Sequence, residues 1–194
     1  MDAMELLLTR YSAAKLGMPP PSETAVQAIL EAAARAPDHG RLQPWRLIVI
    51  EGDARRSLGE IFAESLARRD PEAGDQVLAR EREKALRAPF IIVVATRYER
   101  SAKIPLAEQT IAASCAAHGL MLAAFAQGLG VFWRTGEAAS DEEVKAALGI
   151  GPGDLIIGFI YVGTDISGPP SRPRPAPPAC PDRWIGDRRK PAVS

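Results

Sequence analysis

Cysteine and histidine are scarce in this chain, and each scarcity removes a class of chemistry. Among 194 residues the only cysteines are Cys115 and Cys180, and the only histidines are His39 and His118. Two cysteines without C-x-x-C spacing give neither a disulfide framework nor a zinc site. Cys115, inside an alanine-rich run, reads as a small core hydrophobe. Two histidines are too few for a multi-histidine metal site, and neither pairs with a Ser or Cys nucleophile motif. Net charge is missing as well: 24 Lys and Arg balance 24 Asp and Glu, so no overall basic field draws nucleic acid. The apolar start Met4-Glu5-Leu6-Leu7-Leu8 is broken by Glu5 and stopped by Arg10, too short and too charged for a secretory or membrane-spanning segment. The expectation is a cytoplasmic protein with no membrane or nucleic-acid partner.

A glycine-rich phosphate loop between a strand and a helix is also lacking. Gly128-x-Gly130 has no third glycine and precedes a strand instead of following one, which argues against a doubly wound dinucleotide fold. What is present is an irregular alternation of helix and strand patterns, and that favours an α+β fold. A short helix is expected over 3–10, and a second, N-capped by Ser22 and ended by Pro37, runs through Ile29 and Ala33. The run Trp45 to Ile50 reads as a buried strand. Charged helical sequence follows over 54–87, divided by Pro71 and Gly74. The β-branched segment from Pro89 to Thr96 has the character of a central strand covered on both faces.

Residues 107–127 form the longest apolar stretch, crowded with alanine and interrupted by Glu108, Gln109, Ser114 and His118. It reads as a buried core or interface helix, and as the helix best suited to a dimer contact. A strand over 131–134 follows. Ser140 and Glu143 then have capping-box spacing for a helix that stops at Gly149, and 154–163 is the last core strand. Proline crowds 167–175, so an extended arm follows, either a disordered tail or a strap across a partner subunit. The domain reading is one folded unit over 1–165 with a Pro- and Arg-rich extension over 166–194.

Three loops carry residues suited to chemistry. Arg10-Tyr11-Ser12, with Lys15 nearby, puts a guanidinium and a hydroxyl two residues apart, a pair that can hold one phosphate; taken alone, an exposed basic helix end explains it better. The loop from Arg35 through Pro37, Asp38, His39, Arg41 and Gln43 to Pro44 is stiffened by proline and rich in donors. Trp133-Arg134-Thr135-Gly136 ends a strand in a turn, where glycine admits a flat ligand to the backbone and a cation can neutralise negative charge on it.

In order and spacing these pieces resemble the FMN-dependent nitroreductase family, and within it the short YdjA-like branch of NAD(P)H nitroreductases. The resemblance runs from M-E-L-L-L-x-R-Y-S, through A-x-R-A-P-D-H-x-x-x-Q-P-W-R-L-I-V-I, A-P-F-I-I-V-V-A and A-Q-G-L-G, to W-R-T-G and G-F-I-Y-V-G-T, over roughly residues 1 to 165. It implies an α+β fold with a central, mostly antiparallel sheet flanked by helices, in an intertwined homodimer with FMN at the subunit interface. It implies that Arg10, Tyr11 and Ser12 hold the FMN phosphate and ribityl region. Arg35 and His39 then reach the flavin from the other subunit, and Trp133, Arg134 and Thr135 line the isoalloxazine. The stretch Ala123, Ala124, Phe125, Ala126, Gln127 and Gly128 is the part that the branch gives to NAD(P).

By the same resemblance the activity is a flavoprotein oxidoreductase reaction. NADH or NADPH is the donor, a nitroaromatic or quinone-like compound the acceptor, and hydride moves in a ping-pong cycle that needs no side chain as acid or base. An FMN carrier or sensor with little turnover is the alternative, and a helical dimer without cofactor a further one. The chain departs from the family at Ala14, where many members have Lys or Arg, at His39 and Arg41, where larger members have Ser and Asn, and at Arg134 and Gly136, which replace an acidic residue and glycine near flavin N5. Arg172 and Arg174 follow the last strand, where many relatives place basic residues near the phosphate.

Overall fold

Asp2 and Ser22 begin the first two helices because their short side chains accept hydrogen bonds from otherwise unpaired backbone amides. The structure, a computed structural model, describes residues 1–171. Asp2 caps α1 (Ala3–Thr9) through the Glu5 amide at 2.9 Å, and after the short β1 (Leu16–Gly17) Ser22 caps α2 (Glu23–Ala33) through the Ala25 amide at 3.2 Å. α2 stops at Ala33, ahead of Pro37. β2 (Trp45–Glu51), α3 (Ala54–Arg69), α4 (Asp75–Lys84), β3 (Phe90–Thr96) and α5 (Leu106–Ala126) follow. The chain continues through β4 (Gly130–Arg134), α6 (Glu137–Ser140), α7 (Glu142–Ala147) and β5 (Ile156–Asp165). The proposed extension begins inside the described residues, but most of it, with Arg172, Arg174 and Cys180, lies outside them.

Every strand pairing among the described residues is antiparallel, as expected for the α+β class. β3 lies between β2 and β5, and β5 pairs along its other edge first with β4 and then, where it outruns β4, with β1. β3 is buried along its whole length, which explains its lack of alternation. The Trp45 to Ile50 run is corrected here: among the described residues β2 is an edge strand with Val49 exposed, because only β3 pairs with it and its outer edge has no neighbouring strand. The capping-box expectation is corrected too. Ser140 closes α6, and Asp141 caps α7 by accepting from the amides of Glu143 and Val144.

Strand alternation divides the core in two. Phe90, Ile92, Val94, Val131, Ile160 and Val162 face α2 and α5. Ile91, Val93, Ala95, Phe159 and Tyr161 face Leu58 and Phe62 of α3 and Val144 of α7. The alanine row of α5 packs within the chain: a Cβ at Gly119 would lie 3.3 Å from the Ala32 carbonyl oxygen of α2. By length and composition α5 could cross a bilayer, yet it buries Ala112, Ala113, Ala116, Ala117 and Leu120 in this core, which accounts for its apolar character.

α3 and α4 meet at Gly59, where an added Cβ would stand 2.5 Å from the Arg82 carbonyl oxygen. That close approach fixes α4 beside the sheet. Gly59→Ala is therefore expected to lower unfolding free energy by about 1–3 kcal/mol through overpacking, measured by urea denaturation; an unchanged midpoint would show that the helices separate freely.

Candidate active site

The register of β4 against β5 decides which side chains meet at the end of the sheet. Phe132 stands opposite Tyr161 and Arg134 opposite Phe159, so these four share the face that looks toward α3. Trp133, opposite Ile160, turns to the other face. Its indole N–H donates to the Ile157 carbonyl at 3.0 Å and fills space that only a glycine at 158 leaves, since a Cβ there would lie 2.1 Å from Nε1. The Trp133 ring is thus committed to packing beside α5, while its neighbours line a cavity.

Two adjoining cavities share Arg87, Phe132, Arg134 and Tyr161. The larger, about 500 Å³, extends under α3 and α4 and is bounded by the 135–138 turn. The other, about 450 Å³, is walled by residues 13–16 and Ile166. Both volumes are of small-molecule or cofactor size. Thr135 is exposed at the rim, and Gly136, with φ of 95°, makes the turn that leads to α6. Asp141 steadies the roof: it caps α7, accepts from Ser65 Oγ of α3 at 2.5 Å and lies within 3.8 Å of Arg69.

Charge in the cavities is predominantly positive. Lys84 pairs with Glu81 at 2.5 Å, and Arg69 lies 3.8 Å from Glu137. Arg134 stacks over Phe132 with 4.0 Å from Cζ to the ring centroid, and its Nε is buried without a hydrogen-bond partner among the described residues. Desolvation and the neighbouring Arg87 charge lower its pKa. The Tyr161 hydroxyl is pushed up to about 12 by burial, against the pull of Arg134 and Arg87, and so remains a neutral donor.

The N-terminal triplet lies beside this region. Tyr11 Oη donates to Asp165 Oδ2 at 2.8 Å, and its ring meets Phe125 edge-on at 5.3 Å between centroids. Arg10 is half-buried at the end of α1, and Ser12 is exposed. Ala13 then hydrogen-bonds to the Val131 carbonyl of β4, which joins the triplet to the cavity wall. Of the α5 stretch, Ala124 is fully buried, Ala123 packs on the core, Phe125 is half-buried, and Ala126, Gln127 and Gly128 are exposed.

Arg35 and His39 lie elsewhere. Both are exposed beyond the C-terminal end of α2, and His39 Nδ1 contacts Glu108 Oε2 at 2.7 Å near the start of α5. Tyr11 touches Phe125 near the other end of that helix, and a rise of 1.5 Å per residue separates the two contacts by about 25 Å. One chain therefore does not bring His39 to the 10–12 loop. Sequence reasoning missed Glu81, Lys84, Arg87, Phe132 and Tyr161. Only the two-residue spacing of Phe159 and Tyr161 pointed toward a shared face.

The nitroreductase family model matches residues 7–164. Over 164 residues the chain is 39% identical to the "Putative NAD(P)H nitroreductase YdjA" of Escherichia coli (strain K12), covering 84% of this chain and 88% of that protein. A nitroreductase structure in complex with FMN from Desulfovibrio desulfuricans is 26% identical, with a TM-score of 0.69 over 89% of this chain and 91% of the other. A nitroreductase-like protein from Bacillus cereus shares the fold, at 21% identity and a TM-score of 0.77 over 91% of this chain and 92% of its own.

Asp165 gives a pH test of the site's frame. Burial favours its neutral form, but hydrogen bonds from Ser167, Tyr11 and Gly168 outweigh it and hold the carboxyl below its usual range. A depressed folded pKa contributes stability above the unfolded value, and that contribution is lost as pH falls through the folded one. Asp165→Asn should therefore destabilise the protein at pH 7 and begin to converge with the parent only as pH falls below about 4, through the depressed folded pKa; stability curves that stay parallel throughout acid titration would contradict this.

Proposed function

The chain belongs to the nitroreductase family, and from that premise we propose that it is an NAD(P)H-dependent, FMN-binding oxidoreductase that reduces nitroaromatic or quinone-like acceptors in a ping-pong cycle. The observation that carries the reading is the cavity pair at the end of β4, where Arg134 presents a buried Nε with no hydrogen-bond partner among the described residues. An orphaned donor in a cavity of cofactor size fits a planar, acceptor-rich ligand such as a flavin.

In this reading FMN supplies the two-electron chemistry, and the protein binds, orients and neutralises. Arg10, Tyr11 and Ser12 hold the phosphate and ribityl end. Arg134 and Thr135 border the ring system, with Trp133 contributing through its position in β4 while its indole anchors the strand. Arg134 is a cation placed to oppose the negative charge that reduction adds. The accessible end of α5, from Phe125 to Gly128, is the proposed edge for the nicotinamide nucleotide, supported from behind by Ala123 and Ala124. The cycle leaves proton transfer to solvent, and no side chain is assigned as acid or base.

Two copies complete the site. His39 is about 25 Å from the triplet along α5, so it joins the triplet only from a second chain, and Arg35 is proposed to come with it. The exposed apolar residues Met4, Leu7 and Leu8 of α1 and Ile111 of α5 support such a homodimer. The proposed setting is the cytoplasm, where reduced nicotinamides are available.

Purified protein should carry or take up FMN, and NADH or NADPH added without air should bleach its absorbance; a nitroaromatic should then give saturable turnover. Bound flavin that neither donor bleaches would favour the carrier, and failure to take up FMN would overturn the reading. Arg10→Ala should weaken FMN binding about tenfold or more, the scale of a lost charge-assisted contact, in a fluorescence titration. An unchanged affinity would remove Arg10 from the site.

A further inference from the structure

We propose that Arg87, Arg134 and Tyr161 form an oxyanion-binding subsite at the junction of the two cavities, one that takes a carboxylate, phosphate or similar acidic group of a bound ligand. The inference rests on the functional reading above for the identity of the neighbouring cofactor, but its geometry stands independently.

All three residues line both cavities. Their position follows from two structural facts: the β4–β5 register sets Arg134 and Tyr161 on one face, and the α3–α4 contact at Gly59 brings the end of α4, followed by Arg87, over that face. Among the described residues neither arginine has an ion pair, whereas Lys84 and Arg69, in the same cavity, have Glu81 and Glu137. Arg87 is exposed at the cavity rim while Arg134 is half-buried, and an anion between them offsets the repulsion that Arg87 exerts on the partly desolvated Arg134.

The donors also lack partners. Arg134 Nε is buried and unbonded. Tyr161 is 2% exposed, and its hydroxyl has no hydrogen-bond partner among the described residues. A buried donor is rarely left unsatisfied; here a ligand oxygen satisfies Arg134 Nε, and the Tyr161 hydroxyl, on the same cavity wall, donates to it as well. The Arg134 guanidinium is fixed by stacking on Phe132, so its fork is organised before a ligand arrives. The smaller cavity has Lys15 as a further cation on its wall and, among the described residues, no carboxylate lining it.

The oxyanion is an acidic substituent on the electron acceptor, and calorimetric titrations separate it from the phosphate of FMN, which Arg10, Tyr11 and Ser12 hold in the functional reading. The first arm titrates flavin-loaded protein with benzoate and with the neutral benzamide. A site for acceptor acids binds benzoate at least about tenfold more tightly than benzamide, and Arg134→Leu and Arg87→Gln each abolish that preference. Tyr161→Phe reduces it while leaving the charges in place. The second arm compares FMN with riboflavin on flavin-free protein. Should Arg87→Gln erase the preference for FMN, the cofactor phosphate occupies the subsite and the assignment to an acceptor acid is overturned.

Arg134→Lys, which keeps the charge but loses the planar fork, serves should the leucine variant not fold, and it is expected to lose part of the preference. The subsite is overturned if the folded arginine variants change neither ratio by more than about twofold, a margin well inside the effect of one charge-assisted bond. If the parent takes up no flavin, the functional reading fails while the benzoate arm, run on flavin-free protein, still decides the subsite.

Discussion

The arrangement depends on the pairing of β5 along both edges. Its ten residues align β3 on one side and β4 and β1 on the other, and the alternation of its side chains assigns each neighbour to a layer. Ile160 and Val162 go to the helix pair formed by α2 and α5, while Phe159 and Tyr161 go to the cavity side. A one-residue slip of β4 along β5 would reverse the faces of Phe132, Trp133 and Arg134. The indole of Trp133 would then enter the cavity, and the guanidinium of Arg134 would be driven into the alanine-lined core. The Trp133 bond to Ile157, possible only over Gly158, opposes that slip.

The second constraint is the length of α5. A helix of 21 residues spans the molecule, with His39 near its start and Tyr11 near its end. Loops whose chemistry is complementary are thereby kept apart within one chain. Family membership and the exposed apolar residues of α1 and α5 support reading this separation as half of a shared site. The alanine face that suggested a dimer contact is occupied by α2; the residues left for a partner are the larger ones, such as Ile111.

Much of this was legible before any coordinates. The caps at Asp2 and Ser22 act locally, β3 announces itself by an unbroken β-branched run, and the ordered loops carry the family resemblance. The misread parts depend on neighbours. Whether Trp45 to Ile50 is central or at an edge is decided by what pairs beside it, and Ser140 lost the cap to Asp141 because α6 already ended there. Arg87 and Tyr161 were invisible as site residues for the same reason. One is an ordinary basic residue after a charged helix and the other an aromatic in a core strand, and only the close contact of α3 with α4 and the β4–β5 register bring them together.

Hydrogen exchange on adding FMN tests the shared-site account most directly, because it reports all the loops at once. The account predicts protection at residues 10–16 and 132–138 together with 35–43, and loss of all three when the two copies are kept apart by dilution. Protection confined to 10–16 and 132–138 in a species shown to be monomeric would contradict it.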